Sequence, residues 1–246
     1  MKKLSIIIPV YNEEDTLKEL VEKVILTDLS SVWYSKEVLL INDGSKDKSE
    51  EIIYKLIKDN PKSEIKYIKN KKNSGKWFSL KEWFKYAIGD VMIVQDADLE
   101  YFPEKDYIPM LKAFEDTKVD FIYGSRTLGM KKFANTYSSK SFMFGGLVVS
   151  RLTTILSFTK VTDEPTCYKM FDKKLKPYLL FPQWNGFERE PAITMLLLRK
   201  WFKYAEIPIH YEARKFDEWK KINWKDGVKA LWTLLVWRFK CLPKIL

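Results

Sequence analysis

Histidine and cysteine are nearly missing from this chain: one histidine and two cysteines stand among 246 residues. A site built on several imidazoles is therefore excluded. Cys167 and Cys241 show neither metal-ligand spacing nor a disulfide framework, which fits a reducing compartment. His210 is expected to be a structural residue with a hydrogen-bond partner. No secretory leader is expected from the opening residues either. The opening MKKLSIIIPVYNEED has two lysines, but its apolar run is short and meets Pro9 and then acids. A membrane span needs roughly 20 apolar residues. The best stretches, 142–158 and 228–242, are interrupted by Arg151 and by Lys229 and Arg238. The expectation is a soluble or peripheral protein. Two nucleotide fingerprints are also missing. Gly75-Lys76 runs into Trp77 without the upstream glycine of a P-loop, and Pro9–Glu13 stands where a dinucleotide fold carries G-x-G-x-x-G. ATPase and nicotinamide chemistry are disfavoured.

What is present is an apolar fraction of 46% and a net charge of +10, unevenly spread. Residues 199–246 carry a net +7 and the first 198 residues only +3. A basic, tryptophan-rich end suits an anionic surface, although a solvated basic face is equally common. The first half alternates strand-like and helix-like patterns. LSIIIPV (4–10) reads as a strand buried on both faces, followed by a helix capped by Asn12 with the stripe Leu17, Leu20, Val21, Val24. Further strands are expected at 37–43, 64–69, 90–95 and 119–124, with helices at 48–58, 76–88 and 104–116 between them. Such alternation implies a parallel, doubly wound α/β sheet, whose ligands bind beyond the carboxyl ends of the strands. Helices near 137–158, 187–200 and 224–240 and a strand over 201–211 complete the pattern.

The post-strand residues PVYNE, NDGS, DAD and GSR all fall on that one sheet edge. Asp96 and Asp98 leave strand VMIV one residue apart, so their side chains point the same way, with Glu100 two further on. Two carboxylates side by side repel and are costly to bury, so they call for a cation, a proton or water. A D-x-D alone is also found in many solvated turns. At the end of a central strand, where three other polar loops converge, a hard divalent ion is the favoured reading.

The motifs LSIIIPVYNEEDTL, LLINDGSKDKS, NSGKW, GDVMIVQDADLEY and YGSR, taken in order, resemble family 2 glycosyltransferases of the GT-A fold. VTDEPTCYKMF, NGFERE and IPIHYEARKFDEWKKINWKDGVKAL narrow the resemblance to the polyprenyl-phosphate sugar synthases. The resemblance covers nearly the whole chain. It implies a Rossmann-like catalytic domain over 1–212 and a basic acceptor and membrane-interface segment with an amphipathic helix over 213–246. It implies that Pro9, Val10, Tyr11, Glu13, Asp43, Gly75, Lys76 and Asp96 hold the nucleotide sugar. Asp96, Asp98 and Glu100 would hold Mg²⁺ or Mn²⁺. Arg126 and Arg214 would face phosphate, with Lys140, Lys220 and Lys221 as further acceptor-phosphate residues. Asp96, Asp98, Arg126 and Arg214 are thus the expected catalytic set.

The implied activity is metal-dependent, inverting transfer of a hexose from a UDP- or GDP-linked donor to polyprenyl phosphate. A phosphate monoester is mostly dianionic at neutral pH and needs no general base, only cations to position it. A sugar or glycolipid hydroxyl acceptor is the alternative, and Glu188 or Glu190 would then be the base. A non-catalytic membrane- or nucleic-acid-binding module leaves the four loop motifs unexplained, and no nucleic-acid partner is expected. Trp224, Val228, Leu231, Trp232, Leu235, Phe239 and Leu242 form one stripe of the last helix, an interfacial pattern to which Trp237 and Arg238 add. The expected place is the cytoplasmic face of a membrane, reached peripherally or through a membrane subunit. Trp77 and Phe78 replace the small residues usual after Gly-Lys in this family, and Trp219 replaces a usual glycine. The first change bears on the shape of the acceptor or donor pocket, the second on the stiffness or membrane burial of the basic segment.

Overall fold

β1 (Lys2–Val10) is the spine of the molecule, with Leu4, Ile6, Ile7, Ile8 and Val10 fully buried. A strand covered by helices on both faces needs such a continuous apolar run. The computed structural model describes residues 1–70, 73, 75, 83–181, 188–214 and 224–242. β1 pairs in parallel with β2 (Tyr34–Asn42) and β4 (Val91–Val94), and β3 (Ile65–Lys69) lies in parallel outside β2. With β5 (Phe121–Ser125), β6 (Lys169–Asp172) and β7 (Tyr204–Pro208), the sheet order is β3-β2-β1-β4-β6-β5-β7. β6 runs antiparallel to both its neighbours, β4 and β5. The sequence pattern missed this strand, because Lys169 interrupts its apolar run. The sheet is otherwise parallel, as expected.

Helices α1 (Leu17–Leu26), α2 (Ser49–Asp59) and α3 (Pro103–Thr117) flank it. α1 buries Leu17, Leu20, Val21 and Val24, the stripe expected from spacing. Its cap is Thr16 and not Asn12, which sits four residues earlier in a left-handed turn at φ 52°. The chain needs those residues to turn away from the sheet edge before the helix can begin. Only the end of the helix expected over 76–88 falls within the described residues, where Trp83 and Phe84 are buried in the core.

α4 (Arg126–Phe133) follows β5, capped by Ser125, whose Oγ accepts from Leu128 N at 3.1 Å. Gly129 in this helix presses on the segment after β7. A Cβ there would collide with the Ile209 carbonyl and the Asn135 side chain. The remaining helices are α5 (Lys140–Ser157), α6 (Lys176–Leu180), α7 (Arg189–Arg199) and α8 (Trp224–Phe239). α7 is buried on two sides. Ile193, Leu197 and Leu198 join the main core, while Ala192, Met195 and Leu196 pack with Val149 of α5 and Leu234 and Trp237 of α8. Each such leucine contributes about 1.5–3 kcal/mol by leaving water. Trp237 is thus a core residue, a correction to its expected place at an interface. Val228, Trp232, Leu235 and Phe239 stay exposed on the other side of α8.

Candidate active site

The chain moves outward from β1 to β2 and β3, then returns to lay β4 on the opposite side of β1. That reversal opens a crevice at the carboxyl ends of β1 and β4, the expected ligand position in an open α/β sheet. The loops after β1 and β2 are laced together there. Asn12 N donates to Ser45 Oγ at 3.1 Å and Lys46 N to Asn12 Oδ1 at 2.9 Å. Glu13 N donates to Ser49 Oγ at 3.0 Å, and Glu14 N to Asp47 Oδ2 at 3.0 Å. Asp43 N donates to the Val10 carbonyl at 2.8 Å. Val10 is buried, whereas Pro9, Tyr11 and Glu13 are half-buried. Asp43 is buried and accepts from Asn70 Nδ2 at 2.8 Å and from Gly75 N at 2.9 Å. It therefore tethers Gly75 to the crevice. Gly75 turns there at φ 87°, a conformation that favours glycine. Lys76, Trp77 and Phe78 lie outside the described residues.

Across the crevice, β4 is followed by Gln95, whose Oε1 accepts from Tyr107 OH at 2.8 Å and Tyr168 OH at 2.7 Å. This buried anchor fixes the start of the turn bearing Asp96 and Asp98. Leu99 takes φ 60° within that turn. Asp98 Oδ2 lies 2.8 Å from Arg214 Nη2, and the same guanidinium reaches Glu13 Oε2 at 3.4 Å. Burial pushes the Asp98 carboxyl above the usual carboxylate range, and Asp96 and Glu100 add to that against the pull of Arg214. Burial also opposes the charge on Arg214, and Asp98 and Glu13 more than restore it. Glu100 is near enough to add to the repulsion at Asp98, but its oxygens are engaged by the 211–214 segment. Its Oε1 accepts from Arg214 N at 2.9 Å and its Oε2 from Tyr211 OH at 2.8 Å. Among the described residues, no three acidic, histidine or cysteine side chains converge on one point to hold an ion. Asp96 and Asp98 alone suit a hard cation that keeps its other positions for further oxygens.

The other expected arginine is Arg126. Its Nε and Nη2 donate to Asp163 Oδ2 and Oδ1, each at 2.8 Å, and its backbone N adds a third bond at 2.8 Å. The guanidinium lies over the Tyr211 and Tyr137 rings, 5.1 and 5.8 Å from their centroids. Lys140 opens α5 as an exposed side chain. Lys220 and Lys221, like Trp219, lie outside the described residues.

A second set of charges gathers around Lys169, and of its members only Glu190 had a role in the sequence reading, as a candidate base. Lys169 of β6 is 3.4 Å from Glu164 and 3.9 Å from Glu190, over the Tyr123 ring at 4.9 Å. Glu164 also accepts from Thr194 Oγ1 at 2.9 Å. Glu206 accepts from the backbone N of Thr162 at 2.9 Å and of Asp163 at 3.1 Å. The signal for this network was a lysine inside an apolar strand, which must find acids when buried. His210, as expected, has a structural partner: its Nδ1 is 2.8 Å from Asp106 Oδ1, and its ring stacks on Phe133.

Solved proteins share this fold. A mannosyltransferase from Pyrobaculum calidifontis, solved with GDP-Man and Mn²⁺, superposes with a TM-score of 0.60 at 14% identity, over 89% of this chain and 58% of its own. Glucosyl-3-phosphoglycerate synthase from Mycobacterium tuberculosis, solved with UDP, gives 0.63 at 14% identity, over 99% and 82%. In sequence, the undecaprenyl-phosphate 4-deoxy-4-formamido-L-arabinose transferase of Salmonella choleraesuis (strain SC-B67) is 29% identical over 222 residues. That match takes in 89% of this chain but only 63% of the relative's length. The family model for glycosyl transferase family 2 matches residues 5–178, which carry the β1 turn, Asp43, the D-x-D turn and Arg126. The loops of the crevice up to Arg126 lie within one continuous match, which stops short of Arg214, and the chain belongs to glycosyl transferase family 2.

Proposed function

We propose that this chain transfers a sugar from a UDP- or GDP-linked donor to polyprenyl phosphate, with inversion and with Mg²⁺ or Mn²⁺. The observation that carries this reading is the disposition of the acids beyond the crevice. Asp163 is bound on both oxygens by Arg126, and Glu164 and Glu190 both face Lys169. With their oxygens engaged by buried cations, Asp163, Glu164 and Glu190 are not presented as a base to an acceptor hydroxyl. A phosphate acceptor needs none. The Salmonella relatives, named for undecaprenyl phosphate, support the same acceptor.

In this reading Pro9, Val10, Tyr11, Glu13, Asp43, Gly75 and Lys76 hold the nucleotide, and Asp96 and Asp98 hold the divalent ion against its diphosphate. The ion, when bound, offsets charge on the departing nucleoside diphosphate. Two of the five N–H groups of Arg126 are committed to Asp163, and the others, with Arg214, Lys140, Lys220 and Lys221, are assigned to the acceptor phosphate. Residues 1–212 form the catalytic unit and 213–246 the acceptor and membrane segment. The test is transfer from labelled nucleotide sugars to undecaprenyl or dolichyl phosphate in detergent. We expect a chelator-sensitive lipid product, with Glu190→Gln retaining activity within about tenfold. Chelator-sensitive hydrolysis without lipid product, together with loss of transfer to a saccharide in Glu190→Gln, would instead favour the hydroxyl acceptor.

The same reading places the chain peripherally on the cytoplasmic face of an anionic membrane. No helix among the described residues is long and apolar enough to cross one. Two apolar stripes are exposed instead. Phe144, Val148, Ile155 and Phe158 line α5 and its end, and Val228, Trp232, Leu235 and Phe239 line α8. Arg238 lies over the Phe158 ring at 4.8 Å, joining the two, and Arg151, Lys229 and Lys240 add positive charge. Sedimentation with vesicles containing anionic lipid should capture the chain. The double variant Trp232→Ser, Phe239→Ser should bind about tenfold more weakly. Unchanged binding would exclude this face.

A further inference from the structure

The acidic pole of the crevice holds a cation that belongs to the chain itself. One guanidinium, that of Arg214, touches both loops of the crevice: Asp98 of the β4 turn at 2.8 Å and Glu13 of the β1 turn at 3.4 Å. A divalent ion would contest Asp98, and a diphosphate would draw on the guanidinium itself. The backbone beside Arg214 is held by a separate set of bonds. Glu100 accepts from Arg214 N and Tyr211 OH through its carboxylate, and from Glu212 N through its carbonyl at 3.0 Å. Tyr101 and Tyr211 form a further bridge between the same two segments. The main chain at 211–214 is thus fixed to the D-x-D turn, whatever direction the Arg214 side chain takes.

We propose that Arg214 is the place-holding counter-ion of the donor site, occupying it until metal and diphosphate arrive and then swinging out to meet the acceptor phosphate. This rests on the donor-site reading given above. Acids clustered at 96, 98 and 100 repel one another, and a resident guanidinium relieves that repulsion while no ligand is bound. Metal alone must then displace a charge-assisted hydrogen bond, which weakens its binding. Glu100 is in this account a positioning residue: it holds the pivot and leaves the ion to Asp96 and Asp98. Donor is expected to bind before acceptor, because Arg214 reaches the acceptor only after release.

The test is Mn²⁺ binding to the full chain without nucleotide, followed by the electron paramagnetic resonance of the free ion at pH 8. Wild type is compared with Arg214→Gln and Arg214→Lys, and thermal melting checks that each variant is folded. Arg214→Gln is expected to bind Mn²⁺ about tenfold more tightly than wild type, with Arg214→Lys in between. A structural role alone would not raise metal affinity. Equal or weaker binding by Arg214→Gln overturns the inference and leaves the donor site standing. If no protein binds Mn²⁺, with or without UDP or GDP, the donor-site reading falls and the inference falls with it.

Discussion

Asp98→Asn is expected to lower sugar transfer by about a thousandfold while leaving the melting temperature unchanged or raised. The two halves of this result have one cause. A preorganised charge aimed at the departing diphosphate is worth several kcal/mol in the transition state, and each 1.36 kcal/mol is tenfold in rate. Asparagine keeps the shape and removes that charge. In the folded protein, however, burial and the neighbouring Asp96 and Glu100 disfavour the ionised Asp98, and Arg214 restores only part of the loss. A carboxyl held above its unfolded range costs stability at neutral pH, where the unfolded chain would ionise it freely. Asparagine removes that cost together with the Arg214 contact, so the net change in stability is small. Initial rates at saturating Mn²⁺ and calorimetry of the same preparations check both. A variant within tenfold of wild-type rate would remove Asp98 from the site.

What could be read from the sequence was local. The buried run of β1, the stripe of α1 and the polar turns after β1, β2, β4 and β5 are each encoded within a few neighbouring residues. The topology that gathers those turns follows from alternation alone. Partners at long range could not be read. Arg126 and Asp163 stand 37 residues apart, and Lys169 meets Glu190 from another element of the fold. Each arginine therefore looked like an unoccupied phosphate ligand, and the lysine hid an antiparallel strand. The stripe of α8 was correct for Val228, Trp232, Leu235 and Phe239, which stay exposed. Trp237 lies five residues beyond Trp232, well around the helix at 3.6 residues per turn, and so faces the core. Glu100 shares the direction of Asp96 and Asp98 along an extended chain, yet the left-handed Leu99 between them breaks that alternation. It turns the third acid toward Tyr211 and the Arg214 backbone.

The buried pair of Arg126 and Asp163 gives the second large effect. Asp163→Ala is expected to destabilise the fold by about 3–5 kcal/mol, because it leaves a guanidinium uncompensated in a nearly dry site. The side chains are 14% and 3% exposed, so solvent offers little relief. The carboxylate also accepts from the Arg126 backbone, and its loss removes a bond at the start of α4. Arg126→Lys should recover little in wild type, since an ammonium cannot match the fork that binds both Asp163 oxygens. The double variant Arg126→Met, Asp163→Leu should be more stable than Asp163→Ala, because removing both charges also removes the desolvation each one suffers. Urea midpoints for wild type, Arg126→Met, Asp163→Leu and the double variant measure the coupling directly. A loss below about 1 kcal/mol in Asp163→Ala would mean the pair behaves as a solvated surface bridge. The effect should also reach the donor side. Arg126 lies over Tyr211, Tyr211 donates to Glu100, and Glu100 holds the Arg214 backbone beside Asp98. A protein that loses Asp163 should therefore loosen the Arg126 and Asp98 ends of the crevice together, through contacts that are all protein.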